Sequence, residues 1–401
     1  MRRGEDWRSL SCSKSPVIFV LVSTSNAANA AVVDLGRRLR PAIGRCSARS
    51  NNGSNSVLSG NHWPTNTFPE HRNRPSLSAS NLICGVLALE SLGVDLEQLQ
   101  SQWGTRLSYL RQPNLRVPAF VARRFWEVAR ALSGDPAIGV VAARHIDPGQ
   151  MLGVAYLMQL MPSRQASLGV LAQYWPLLAG HLELNFDERE GHLCVALMPA
   201  QTMQPATEEI DFWAAQQVLH LKGMPGTTNA IRMLRLRRSE PENPGPWLAL
   251  AVGSVQFGAE RDEAVVDMTA VKEQRAPGSQ AVGKALQAAL RNYAKQTLQA
   301  SVLESVASEV LQHLHERPDL EQTAQALHMT SRTLHRALQR EGWSFNSIVE
   351  VHRRYLARDL IQARVLSISE VAGRLGYQEV SNFIRAFRRW YGVNPGAYQQ
   401  R

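Results

Sequence analysis

One pattern occurs twice in the last hundred residues, and it restricts the fold more than any other feature of the chain. Leu320 to Leu327 reads as a short helix, His328-Met329 as a turn, and Ser331 to Arg340 as a second helix opened by Thr330 as its N-cap. Further on, Ser367 and Glu370 stand at the spacing of a capping box and open a helix from Ile368 to Leu375. Gly376 makes the turn, and another helix follows from Val380 to Tyr391, closed by Gly392 and Pro395. Ala324 and Ala372 hold the same place in each unit, where two helices crossing closely require a small residue. Leu327, Leu334 and Leu338 form the inward face of the first unit, and Phe383 and Phe387 that of the second. The opposite faces present Arg332, His335, Arg336 and Gln339, then Ser381, Asn382, Ile384, Arg385, Arg388 and Arg389. Each unit reads as a helix-turn-helix.

Between the units the pattern predicts one amphipathic helix from Phe345 to Ala363, carrying Arg353, Arg354 and Arg358. At about 1.5 Å per residue it spans roughly 28 Å, against about 34 Å for a turn of B-DNA. A spacer of this length sets two recognition helices into successive major grooves on one face of double-stranded DNA. One helix-turn-helix pattern alone is often just a pair of packed helices. Two in tandem, each with donors on its outer face, favour DNA. A further helix from Ser301 to His315 precedes them, with Val302, Leu303, Val306, Val310, Leu311 and Leu314 at helical spacing.

Net charge adds little to that case. The formal charge is +10, but residues 1–80 hold 11 basic and 4 acidic side chains while residues 302–401 hold 13 and 10. Most of the excess therefore lies far from the repeated pattern, and global charge is weak evidence about partners. No apolar run reaches the length a membrane span needs. The 4 cysteines, Cys12, Cys46, Cys84 and Cys194, form no CxxC pair, so neither a disulfide framework nor a zinc site is expected.

The middle of the chain mixes two periods. Helical spacing marks Ile83 to Leu92, Phe120 to Leu132, Gly153 to Met161, Ser167 to Leu178 and Ile210 to Leu221. Period-2 alternation marks His181 to Phe186 and Leu193 to Leu197, with Asp187 to His192 as the turn of a β-hairpin. Ile231 to Leu236, Ser254 to Phe257 and Ala264 to Met268 read as further strands. The expected architecture is an α+β domain over 79–272, a linker and helix over 273–300 beginning near Arg275 to Ser279, and an all-α domain over 301–401 with two helix-turn-helix units joined by a linker helix.

No HExxH, GxSxG, GxGxxG or Walker-type glycine loop occurs, so the middle segment offers no catalytic constellation, and no cofactor or metal is called for. His145, His181, His192 and His220 lack metal-ligand spacing. Cys84 and Cys194 lie on apolar faces as small hydrophobes. Met151, Met158 and Met161 fit a core, although thioethers also suit an adaptable apolar pocket. Residues 1–78 read as a disordered extension, rich in Asn, Ser, Gly, Pro and Arg from Arg45 to Pro75. Arg2-Arg3, the apolar run Val17 to Val22 and Ala28-Asn29-Ala30 imitate an export signal, but the run is short and Glu5 and Asp6 interrupt the basic start. A cytoplasmic protein is the expectation.

Gly376 to Tyr398, with its sequence GYQEVSNFIRAFRRWYGVNPGAY, resembles the signature of AraC/XylS-type bacterial transcription regulators. Thr330 to Leu338 is similar to the first recognition helix of that family, and residues 79–272 resemble its arabinose-binding-type effector domain, most closely at Gln256 to Glu260 and the hairpin near His181. The resemblance implies base contacts from Arg332, His335, Arg336, Ser381, Asn382 and Arg385. Arginine pairs with guanine O6/N7 and asparagine with adenine N6/N7. Arg340, Arg388 and Arg389 fit phosphate contacts, which set register rather than sequence. Arg385 has a structural alternative, an ion pair with Glu379. The implied partners are double-stranded DNA, RNA polymerase, a small-molecule effector and a second copy of the chain, with no membrane. In an alternative reading the middle domain only dimerises or docks a partner, without a ligand. In a third it is an enzyme, which lacks a visible nucleophile or acid/base pair.

Overall fold

The computed structural model describes residues 76–111, 114–146, 149–200, 204–223, 230–250, 253–274, 276–297 and 300–400. The extension and export-signal readings of residues 1–75 lie outside these, as does Arg275 of the expected linker. Residues 76–78, expected within the extension, belong to a strand. Strand β1 (Ser76–Ser78) pairs antiparallel with β2 (Arg116–Pro118), and Leu77 is fully buried opposite Val117. A three-residue strand has no period to read in the sequence.

Helices α1 (Ser80–Ser91) and α2 (Leu96–Trp103) follow β1. After β2 come α3 (Ala119–Ser133), α4 (Ile138–Ala143), α5 (Val154–Gln159) and α6 (Arg164–Ala179). Helix α3 ends where Gly134 takes φ +64°, and α6 starts at Ser163, whose side chain accepts the Ala166 N–H. Pro176 lies inside the last turns of α6. The buried Arg116 guanidinium donates to the carbonyls of Pro176 and Leu177 at 3.1 and 2.8 Å, placing a cation where the helix dipole is negative.

Strands β3 (Leu182–Arg189) and β4 (His192–Pro199) form the expected hairpin, but with a shorter turn. Only Glu190 and Gly191 turn, at φ +51° and +76°, the signs of a type I′ turn. Asp187, Glu188 and Arg189 stay in the ladder because β3 is an edge strand, where polar side chains meet solvent. The remaining elements are α7 (Thr207–Gly223), β5 (Ile231–Arg235), α8 (Gly245–Leu248), β6 (Ser254–Gln256), β7 (Asp262–Asp267) and α9 (Met268–Lys272). The five strands run in the order β3-β4-β7-β5-β6, antiparallel except β5 beside β6.

Helix α7 is central to this α/β region, and its first turns bury three carboxylates, each with a partner. Glu208 meets Arg130 at 3.0 Å, Glu209 meets His181 at 2.9 Å, and Asp211 meets Arg238. His181 is thus paired inside the core through its Nε2. Burial pushes the Asp211 carboxyl up to about 7 against the opposing pull of Arg238. Helix α4 crosses α7 so closely that a Cβ on Gly139 would sit 1.9 Å from the Glu208 carbonyl oxygen.

Beyond α10 (Gln280–Gln296) the chain is helical: α11 (Val302–Gln312), α12 (Leu320–Ala326), α13 (Ser331–Arg340), α14 (Phe345–Ala363), α15 (Ile368–Arg374), α16 (Val380–Tyr391) and α17 (Pro395–Gln399). Among the described residues no helix is long and apolar enough to cross a membrane.

Candidate nucleic-acid interface

Helices α13 and α16 owe their positions to caps and to a narrow apolar stripe. Thr330 accepts the Thr333 N–H at 3.2 Å, and Leu334 and Leu338 are fully buried. The Ser367–Glu370 capping box forms with both reciprocal bonds, fixing α15 in front of α16. Phe383 and Phe387 are fully buried, their rings 5.8 Å apart. The turn between α15 and α16 needs Gly376. It takes φ +75°, and a Cβ there would lie 2.5 Å from the Leu314 carbonyl oxygen. The corresponding turn between α12 and α13 places His328 at φ +55°.

The side chains expected at a DNA surface are exposed, but they are not equivalent. Arg332, His335, Arg336 and Arg340 lie on the outer side of α13, and the three arginines have no ion-pair partner among the described residues. His335 Nε2 lies 3.5 Å from the Gln339 amide nitrogen. On α16, Ser381, Asn382, Arg385, Arg388 and Arg389 are all exposed. Arg385 donates to the Asn382 Oδ1, so this partner replaces the alternative ion pair with Glu379, and the two side chains present one joint polar surface. Arg388 has no ion-pair partner among the described residues, whereas Arg389 is held by Glu350 at 2.7 Å. The Trp390 indole N–H bonds to the same Glu350 oxygen and, with Arg389, keeps that carboxyl below its ordinary range.

The spacer's three arginines turn inward to the protein. Arg353 donates to the Leu375 carbonyl at 2.9 Å and stacks over the Tyr377 ring. Arg354 and Arg358 approach Glu127 of α3 at 3.6 and 2.8 Å. Their neighbour Asp359 takes two hydrogen bonds, at 2.8 and 2.9 Å, from Arg123, whose side chain is only 1% exposed. Arg123 also lies 4.3 Å from the Tyr355 ring centre, and the Tyr355 hydroxyl donates to Glu127 at 3.1 Å. Burial opposes the Arg123 charge, but the Asp359 hydrogen bonds and the surrounding carboxylates more than offset it and hold the guanidinium protonated. Burial likewise raises the Glu127 carboxyl, against the pull of Arg354 and Arg123.

This clasp binds α3 of the α/β region to α14 of the helical region. Phe120 extends it, edge-on to Trp343 at 5.0 Å and against the His352 ring at 4.8 Å. Ser76 donates to the buried Glu304 of α11 at 2.9 Å, a second tie between the regions. Pattern reading assigns charges on an amphipathic helix to solvent and so passed over Arg123 and Glu127. The available signal was their spacing from Phe120 and Arg130, which puts all four along one side of α3. Beside the clasp a groove of about 1300 Å³ separates α3 and the start of α7 from α14 and Tyr398.

Residues 93–274 match the arabinose-binding domain of AraC transcription regulators, and residues 323–401 match a helix-turn-helix domain. The ornithine utilization regulator of Pseudomonas aeruginosa is 28% identical over 77% of this chain and 91% of its own length. An uncharacterized HTH-type transcriptional regulator of Mycobacterium tuberculosis is 44% identical over 21% of this chain and 24% of its own. The crystal structure of the transcriptional regulator CdpR from Pseudomonas aeruginosa aligns with 76% of this chain and 98% of its own, at 22% identity and a TM-score of 0.35. The chain is thus a DNA-binding transcription regulator of the AraC family, an arabinose-binding-type α/β domain followed by a helical helix-turn-helix region.

Proposed function

We propose that the α12–α13 and α15–α16 pairs are two helix-turn-helix units, with α14 as their linker helix, and that they read adjacent major-groove segments of one promoter site. The observation that carries this reading is the arrangement of donors. Arg332, Arg336 and Arg340 on α13 and Arg388 on α16 are exposed cations without ion-pair partners among the described residues, on helices separated by a 19-residue spacer. Arg332, His335, Arg336, Ser381, Asn382 and Arg385 contact base edges; Arg340, Arg388 and Arg389 contact phosphates. Phosphate contacts fix register and base contacts specify.

Residues 301–401 form the DNA-binding domain, 273–300 the linker and helix, and 79–272, with the strand at 76–78, the domain that binds a small-molecule effector and dimerises. The clasp between α3 and α14 supports coupling, because an effector changes DNA occupancy only if it distinguishes two states of the protein. The protein acts in the cytoplasm, where family membership supports contact with RNA polymerase.

Binding of the full chain to a selected DNA site tests the assignment. Arg336→Ala weakens specific binding by about 1–3 kcal/mol and relaxes preference at one base pair. Arg388→Ala weakens binding to all sequences alike and lowers the salt slope by about one. An unchanged footprint and affinity for the first, or a sequence-selective loss for the second, contradicts the roles given.

A further inference from the structure

Between α5, α6, α7 and β4 lies a cavity of about 20 Å³, space for one water molecule. Met151, Met158, Leu168 and Leu171 supply its soft apolar walls. Trp213 and Gln217 also line it, 4% and 7% exposed, and neither the indole N–H nor the Gln217 amide nitrogen has a hydrogen-bond acceptor among the described residues. A buried donor without an acceptor is costly, so natural cores seldom keep two side by side. Apolar walls with a few convergent polar groups are the chemistry of a small-molecule site, and thioether side chains let such a site widen.

We propose that this cavity is the effector site, and that it takes a small neutral molecule with an apolar body and one carbonyl-type oxygen, which accepts from Trp213 Nε1 and Gln217 Nε2. The proposal deepens, and rests on, the reading of the α/β domain as an effector domain. No carboxylate lines the cavity to receive an ammonium group, and a sugar would bring several hydroxyls where the wall is mostly hydrocarbon. The placement also explains how occupancy reaches DNA. Helix α7 carries Glu208 in its first turn and Trp213 and Gln217 one to three turns further along, and Glu208 holds Arg130 of α3 at 3.0 Å. The same α3 presents Arg123 and Glu127 to Asp359 and Arg358 of α14. A ligand that pushes Met151 and Met158 aside displaces α7, and α7 is tied through α3 to the spacer between the two DNA-reading helices.

The test titrates the full chain with cyclohexanone and with methylenecyclohexane, which has the same shape and no acceptor, and repeats both with Gln217→Leu and Trp213→Phe. The ketone is expected to bind the wild type about tenfold more tightly than the hydrocarbon, the discrimination typical of a hydrogen bond to otherwise unpaired donors. That preference falls to within about twofold in Gln217→Leu and weakens in Trp213→Phe, while circular dichroism reports that both variants fold. Absence of saturable ketone binding to wild type, or a preference that survives in both variants, overturns the proposal. The selected DNA is then titrated with and without cyclohexanone. A preference that depends on Gln217 with unchanged DNA affinity keeps the ligand site and refutes its role as effector site.

Discussion

Removing the Asp359 carboxylate leaves the most buried cation of the α3–α14 junction without its main partner. Arg123 loses two charge-assisted hydrogen bonds, at 2.8 and 2.9 Å, and keeps Glu127 at 3.8 Å and the face of the Tyr355 ring at 4.3 Å. Breaking a buried pair from one side costs about 3–5 kcal/mol, and the remaining Glu127 contact places Asp359→Ala near the lower end, about 3 kcal/mol. Arg123→Met costs less, about 2 kcal/mol, because Asp359 is 11% exposed and retains the Gln204 N–H at 3.3 Å and Arg358 at 3.8 Å. The double variant Arg123→Met/Asp359→Leu removes both charges and leaves neither stranded. Its loss is therefore smaller than the sum of the singles, with a coupling of about 2 kcal/mol. Urea unfolding of the full chain, followed by tryptophan fluorescence and far-UV circular dichroism, measures all four corners of the cycle. In the single variants the two probes also separate, since the helical region detaches before the α/β region unfolds. Losses that add to within about 0.5 kcal/mol mean that the ion pair does not join the two regions energetically, and the reasoning fails.

Three further outcomes are expected. The His352 ring is fully buried, donates Nδ1–H to the Ile348 carbonyl, and is held down to about 4 by burial. The unfolded chain binds the proton near 6.5, so between pH 6.5 and 4 it holds more protons than the native state, and falling pH removes about 3 kcal/mol of stability over that window; His352→Gln flattens this part of the stability curve, and an identical slope in both proteins would show that the folded ring takes up its proton as readily as the unfolded one. Gly376→Ala destabilises the helical region by about 1–3 kcal/mol, read from thermal unfolding, because the left-handed φ and the Leu314 carbonyl both exclude a Cβ. Arg389→Ala weakens DNA binding less than Arg388→Ala, since Arg389 must first leave Glu350 to reach a phosphate; equal losses in a gel-shift titration would remove that distinction.

The helices that carry the candidate DNA surface were legible from sequence because their ends are written locally. Thr330, the Ser367–Glu370 box and Gly392 mark termini chemically, and α13, α14 and α16 have the bounds that their patterns predict. What the sequence hid was long-range. β1 and β2 are three residues each and find one another across 40 positions, so neither shows a period. The edge strand β3 continues through Asp187-Glu188-Arg189, a run that looks like a turn until its place at the sheet margin is known. Arg123 and Glu127 carry no signal of their role in the sequence because their partners, Asp359, Arg354 and Arg358, lie more than 200 residues away. Spacing on one helix cannot report a counter-charge on another. For the same reason nothing local to the spacer shows that α3 holds Arg354 and Arg358.

Selection of bound DNA from a random pool with the full chain, at moderate salt, bears most directly on the two-unit reading. The expected product is a bipartite site, two short conserved segments with centres about one helical turn apart, in which Arg336→Ala erases preference in one segment and Asn382→Ala in the other. A pool that shows no enrichment, or a single segment that responds to both substitutions, would contradict the account.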